Sequence, residues 1–474
     1  MSEPSAIVTS PAPPHRVAIY PPSTGRRLFN VMSRTQQLLD DPRQFRRSVI
    51  IVLSIAFLAR FAVLAAFWPS WDWHNNIVPD QWNELAINLA EHRTFAFSDL
   101  PTSPTVMRGP LFPFFEVPLY LIFGENYVGW VITLLLLDLF SCFLLVVTVR
   151  NLWGQRASLF AGLLYAVSLA LIYYTCKIMQ VTSIIPFVVT WLYLITVWER
   201  NYFSRWVPLA IGVVSGLMIL NKTVYLPVPP VAAIVLLWLN RSKVRQLTHI
   251  APVALYLVTT FLVVAPWTYR NYIVTSGHVV PVQSMFWELF VQDVLYDDLD
   301  ATVGHDRPDG QLLDYWMEKE NAMVVAAGLS VTPPADARAR WEMQREASFR
   351  VAGLEMLKND PMRILRVKLA NIWQFWVLAE NWEKTRLFIL LQAVPLGAAM
   401  IGFLALCRYR QLDRIKFSLL LVAILWGEHC LVWGWGRLSL DLMPALAIIF
   451  GLGMDALTSH VPPKAELRPT LAPN

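Results

Sequence analysis

Charge is scarce in this chain: Asp, Glu, Lys and Arg make up 15% of its 474 residues, against 56% hydrophobic ones that include 20 Trp and 25 Phe. An average soluble domain is about one quarter charged, so the deficit excludes an ordinary soluble enzyme and puts the chain in the integral-membrane class. A large positive excess is also missing. The net charge of +5 is small for the length, and its basic residues gather in loops expected on one side of a membrane, which follows the positive-inside bias and gives no reason to invoke nucleic acid. Cysteine is rare: Cys142, Cys176, Cys407 and Cys430 fall in or at the ends of apolar spans without metal-ligand spacing, so buried free thiols are expected. No Gly-rich linker divides the apolar part, so it reads as one domain, and no internal duplication of the kind many transporters carry is visible. No small-residue cleavage site follows the first apolar run, which is therefore expected to remain as a span.

What is there is a series of apolar runs near the length a bilayer requires, about 20 residues. Residues 1–47, rich in Pro, Ser and Arg, read as a disordered cytoplasmic tail. Spans are expected at 48–67, 127–149, 158–171, 182–198, 207–220, 224–239, 250–265, 387–406, 417–433 and 440–457. Residues 111–123 are short and broken by proline, which suggests an interfacial or re-entrant helix. Residues 362–377 have the mixed face of a helix lying in the interface. Between them, 267–366 is polar enough for a water-exposed helical insertion on the outer side. Its acidic run at 297–309, with His305, lacks the oxygen-ligand spacing of a calcium loop and reads as a solvated loop. The expected fold is an all-α, polytopic membrane protein with about ten transmembrane helices, interfacial helices and a periplasmic helical insertion. Its parts are a core at 48–266 with a first outer loop at 68–110, the insertion at 267–366, late helices at 367–457, and a tail at 458–474. Both termini are expected in the cytoplasm.

With so little charge, each charged residue near the membrane counts. Arg60 and Asp138 lie at matched depth in consecutive spans and are expected to pair, more often an architectural arrangement than a functional one. Asp80 and Glu84 are four apart, which on a helix would put both on one face; one could serve as a general base, or both could be solvated acids. Arg108, before Gly109-Pro110, could hold a phosphate or carboxylate or simply reach headgroups. Lys222, Arg270 and Arg437 emerge on the same expected side. Four cations beside an acidic pair point to a phosphate-bearing lipid, whose leaving negative charge must be stabilised.

Pro79-Asp80-Gln81-Trp82 with Leu85-Ala86, Arg108-Gly109-Pro110-Leu111-Phe112-Pro113, Pro266-Trp267-Thr268-Tyr269-Arg270-Asn271-Tyr272, Asp360-Pro361 with Lys368 and Trp376, and Arg437 followed by Pro444 together resemble GT-C membrane glycosyltransferases. The type resembled is that of the bacterial protein-mannosyltransferases and aminoarabinose transferases. Gln180 stands where many members carry Glu, and Asn221-Lys222 where many carry Arg-Pro; lysine keeps the charge but not the bidentate fork. The resemblance implies an inverting transfer of a monosaccharide from a polyprenyl-phosphate carrier to a glycan, lipid or protein hydroxyl. Asp80 would be the base, with Glu84 beside it, and Arg108, Arg270, Lys222 and Arg437 would hold the phosphate. It further implies a bacterial inner-membrane protein working at the periplasmic face, with no cofactor and no metal. The rival readings are a flippase or transporter of a lipid-linked sugar, and a non-catalytic assembly subunit with the same fold.

Overall fold

Inside lipid a backbone has no water to bond, so an apolar chain closes its own hydrogen bonds as helix. The computed structural model describes residues 42–67, 80–200, 206–241, 247–308 and 310–459. Of the expected tails at 1–47 and 458–474, residues 1–41 and 460–474 lie outside the described residues, as do 68–79 of the expected first outer loop. Residues 42–47 are not a disordered tail but the first turns of a helix running to Phe67, and Thr458 ends the last helix. Ser48–Asn474 forms one compact unit.

Among the described residues the regular structure is helical, without strands. The first half contains α1 (Pro42–Phe67), α2 (Trp82–His92), α3 (Leu111–Phe123), α4 (Tyr127–Trp153), α5 (Gln155–Ala166), α6 (Leu169–Thr175), α7 (Gln180–Arg200), α8 (Trp206–Asn221), α9 (Val228–Leu239) and α10 (Leu247–Val274). The second contains α11 (Phe286–Val303), α12 (Gln311–Ala326), α13 (Arg338–Asn359), α14 (Pro361–Val377), α15 (Trp382–Arg408), α16 (Lys416–Leu431) and α17 (Met443–Thr458). Short 3-10 turns at Thr223–Tyr225, Leu412–Ile415 and Gly436–Leu442 join some of them.

Among the described residues six helical segments are long and apolar enough to cross a membrane, seven if the bent pair α5–α6 counts as one. The chain is a multi-pass membrane protein. The expected ten spans resolve into these and the shorter α8, α9 and α16, of 16, 12 and 16 residues. The span expected at 158–171 is broken by a 60° bend, where Ser168 adopts an extended backbone. The run expected to end at 265 continues through Pro266 to Val274 as one helix.

Helix contacts are close where glycine allows it: a Cβ on Gly453 of α17 would come within 2.3 Å of the Gly402 Cα of α15. Cys407 lies roughly 140° round α15 from Gly402 at 3.6 residues per turn and is exposed. Cys430 is half-buried, so the expected burial of all four thiols holds only for Cys142 and Cys176; all four are free. Arg60 and Asp138 do pair, both fully buried. Tyr165 donates its hydroxyl to Asp138 at 2.6 Å, and Arg60 donates to the Ala166 carbonyl at 2.9 Å.

Helices α11 to α13 pack around Val291, Leu295, Trp316 and Phe349. At their centre Arg345 bridges Glu288 at 2.9 Å and Glu320 at 2.8 Å. The acidic run is a solvated loop only around Asp306, which is exposed outside any helix. Asp297, Asp298 and Asp300 belong to α11; Arg363 pairs with Asp298 at 2.6 Å, and Arg307 and His305 hold Asp300. Asp297, Asp298 and Asp300, which looked isolated in sequence, are paired with arginines 7 to 66 positions away in the chain.

Candidate active site

Trp82 opens α2 as a buried anchor, edge-on to Phe112 of α3 with centroids 5.8 Å apart, and Leu85 and Ala86 follow it into the same apolar cluster. Gln81 takes a left-handed conformation, φ 56°, so the chain turns sharply just before the helix. Asp80 therefore lies off the α2 N-terminus rather than on its face. The expected one-face pair does not form: Glu84, inside α2, accepts the Ser98 N–H at 2.9 Å and ties down the next loop.

Asp80 meets Arg437 instead. Its Oδ1 lies 3.4 Å from both guanidinium nitrogens. Arg437 is held in place by Gly436, whose N–H donates to the Leu378 carbonyl at 2.8 Å and whose Cα has no room for a Cβ, 2.9 Å from that oxygen. Arg108 arrives beside them from the other side. Gly109 packs against the backbone of Leu220 and Asn221, where a Cβ would sit 2.6 Å from the Leu220 oxygen, and this close approach brings Arg108 to the end of α8. The Arg108 guanidinium lies over Trp82, 5.4 Å from the ring centroid, and donates to Met285 Sδ at 2.8 Å. Lys222, at the same end of α8, is buried and bonded to Asp441 at 2.8 Å.

Asp80, Arg108, Lys222 and Arg437 line one cavity of about 420 Å³, together with Gln180, a volume suited to a small-molecule group. Burial pushes the Asp80 carboxyl up, but Arg437, Arg108 and Lys222 outweigh it and hold it below the ordinary carboxylate value. It is therefore an ionised carboxylate facing an excess of cations. That is an arrangement able to accept a proton once a phosphate competes for the arginines.

Arg270, expected to join the phosphate contacts, does not line this cavity. It donates to the Thr105 carbonyl at 2.7 Å and stacks over Trp267, 4.7 Å from the centroid, so its fork is spent on fixing the segment that leads to Arg108. The same segment is clamped from the insertion: Glu342 of α13, almost fully buried, accepts the Thr105 hydroxyl and the Val106 N–H, each at 2.7 Å.

Sequence reasoning missed Asp441, the partner of Lys222. An acid in the last apolar run was the available signal, since intramembrane charge is rarely idle. It also missed Glu428, His429, Trp433 and Trp435, which line the cavity from α16 and the segment after it. Nothing local distinguishes these from a span end with interfacial aromatics. Among the described residues no group of three or more His, Cys, Asp or Glu side chains could hold a metal ion.

Residues 107–269 match the family model described as dolichyl-phosphate-mannose-protein mannosyltransferase, a segment that carries Arg108, Gln180 and Lys222. No curated protein matches the chain. Among solved structures, the chain is similar to the Archaeoglobus fulgidus oligosaccharyltransferase in its apo form, at 14% identity and TM-score 0.51. It is also similar to the oligosaccharyltransferase AglB from that organism in complex with an inhibitory peptide and a dolichol-phosphate, at 14% identity and TM-score 0.50. Each alignment covers 87% of this chain and 50% of the other, so the chain spans about half the length of these proteins. ArnT from Cupriavidus metallidurans bound to undecaprenyl phosphate aligns over 87% of this chain and 78% of its own, at 13% identity and TM-score 0.40. The chain thus shares its fold with these oligosaccharyltransferases, and its residues 107–269 match the protein-mannosyltransferase model.

Proposed function

We propose that this chain is an inverting glycosyltransferase that moves a monosaccharide from a polyprenyl-phosphate carrier to an acceptor hydroxyl. The observation that carries the reading is the convergence of Asp80 with Arg108, Lys222 and Arg437 on one cavity. The phosphate of the donor takes the place of Asp80 on Arg437, with Arg108 and Lys222 completing its contacts. Asp80, released, accepts the proton of the acceptor hydroxyl. The acceptor oxygen bonds to the anomeric carbon from the face opposite the phosphate, the anomeric C–O bond breaks, and its electron pair leaves on polyprenyl phosphate. The cations stabilise that charge as it develops. Glu84 and Arg270 position the loops and touch neither substrate. The dolichol-phosphate in the AglB complex supports a polyprenyl carrier.

The cavity lies at the Gln180 end of α7 and the Leu431 end of α16, while the opposite ends carry Arg200, Arg414 and Lys416. The positive-inside bias then supports a cytoplasmic side at Arg200 and an outer, periplasmic face at the cavity, in a bacterial inner membrane with both termini inside. The outer loop at 68–110 supplies the base, and the insertion walls the cavity through Glu288, Gln292 and Trp316. The test is sugar transfer in proteoliposomes from a radiolabelled polyprenyl-phosphate sugar, wild type against Asp80→Asn. Equal transfer by both would remove Asp80 from its role, and translocation of the donor without transfer would favour a flippase.

A further inference from the structure

The cavity has two chemically different walls set apart along α11. Arg108 contacts Met285, just before the helix, whereas the Trp316 indole donates to the Gln292 carbonyl at 3.2 Å. Seven residues at 1.5 Å each separate these contacts by about 10 Å. Around Trp316 stand Trp433 and Trp435, with centroids 5.4 and 6.2 Å from it and 5.1 Å from each other. Phosphate has no use for indoles. A pyranose does: its C–H-rich faces pack on aromatic rings while its rim of hydroxyls donates and accepts hydrogen bonds.

A second observation points the same way. Five lining residues hold a buried polar atom with no hydrogen-bond partner: Arg108 Nε, Gln180 Oε1, Thr223 Oγ1, Glu428 Oε2 and Trp433 Nε1. Each unmet group costs about 1–3 kcal/mol, and native interiors rarely leave several in one place. The set contains both donors and acceptors, which a lone anion would not satisfy and a polyhydroxylated ring does. Glu428 lies on the last turn of α16, directly before the Trp433 segment, so a carboxyl group and an indole donor belong to the aromatic wall.

We infer that the wall formed by Trp316, Trp433, Trp435 and Glu428 is an acceptor subsite for a pyranose, so that the hydroxyl glycosylated belongs to a saccharide. This rests on the sugar-transfer reading above. Inversion requires the acceptor to approach opposite the phosphate, and the Trp316 side of the indole wall is displaced from Arg108.

The test uses the full chain in lipid nanodiscs free of glycoside detergent, with methyl α-mannopyranoside and methyl β-glucopyranoside as probes. Saturation-transfer NMR should show transfer from the protein to ring C–H protons of at least one probe. The signal should fall at least fivefold in Glu428→Gln, which keeps the side-chain shape, and in Trp433→Ala, and stay unchanged in Trp376→Phe, a control on α14. Absence of signal in the wild type, or equal signals in all four proteins, would overturn the inference. With polyprenyl-phosphate-mannose bound first, persistence of the glycoside signal supports an acceptor subsite. Its displacement would overturn it, because the indoles would then hold the donor's own sugar. Transfer to a Ser/Thr peptide but to neither glycoside would overturn it too. Glycoside binding without any transfer would break the sugar-transfer reading while leaving the saccharide subsite standing.

Discussion

Arg60 and Asp138 meet between α1 and α4 with neither side chain exposed, whereas Arg437 and Asp80 meet at 3.4 Å with side chains 28% and 21% exposed. The first pair is satisfied on several sides, by the Tyr165 hydroxyl on the carboxylate and by the Ala56 and Ala166 carbonyls on the guanidinium. The second is long, shared with other cations, and opens on a cavity. The same two residue types thus serve as a closed structural link in one place and as an exchangeable contact in the other. What separates them is whether a ligand can reach the pair.

The sharpest way to break this contrast is to neutralise each aspartate. Asp80→Asn should lower sugar transfer in proteoliposomes by about 10²–10⁴-fold, the usual contribution of a general base, with thermal stability in detergent nearly unchanged. Asp138→Asn should do the reverse: it strands a buried guanidinium, at a cost of about 3–5 kcal/mol, seen as a lower melting temperature and a poorer yield of monodisperse protein. Normal stability of Asp138→Asn would mean that the buried pair is not architectural.

A smaller effect separates two arginines that the sequence presented alike, Arg437 on the cavity and Arg270 off it. Arg437→Lys loses the fork that faces Asp80 and should raise the donor KM about tenfold or more. Arg270→Lys should leave the donor KM near wild type while loosening the 94–108 segment, measured as faster amide exchange there. Smaller again is Glu342→Ala, which leaves the Val106 N–H and Thr105 hydroxyl unmet, about 1–3 kcal/mol. Its expected signature is a lower melting temperature with a modest fall in kcat through Arg108.

The insertion offers a pH test of the same contrast between structural and working carboxylates. Burial pushes Glu346 up to about 7, although it accepts the Trp287 and Glu288 N–H groups. Its folded value lies above its unfolded one, so the folded state holds the proton more tightly. The resulting stability is complete below about pH 4.5 and is lost as pH rises towards 7. Melting temperatures of the wild type should fall over that window more than those of Glu346→Gln; identical slopes would remove Glu346 as the cause.

Helical class, membrane character, the Arg60–Asp138 link and the cationic character of the site could be read from the chain, because each follows from local composition or from depth along a span. Asp80 and Arg108 were likewise visible as rare charges beside apolar runs. The bend at Ser168, by contrast, sits inside an apolar stretch that reads as continuous. The pairing of Lys222 with Asp441 joins residues 219 positions apart, and no local pattern reports it.

By itself, then, the sequence determined that this protein must bury its apolar runs as membrane helices and keep its few charges at their ends or in pairs. Tertiary structure alone decided which charges face the cavity. Asp80 enters it because one left-handed residue turns it off α2, and Arg270 is kept out because backbone carbonyls and an indole consume its fork. The three indoles come from two separate segments, α12 and the residues following α16, and converge only after these have packed against α11. Such choices depend on direction and distance between segments remote in the chain, which composition and spacing do not encode.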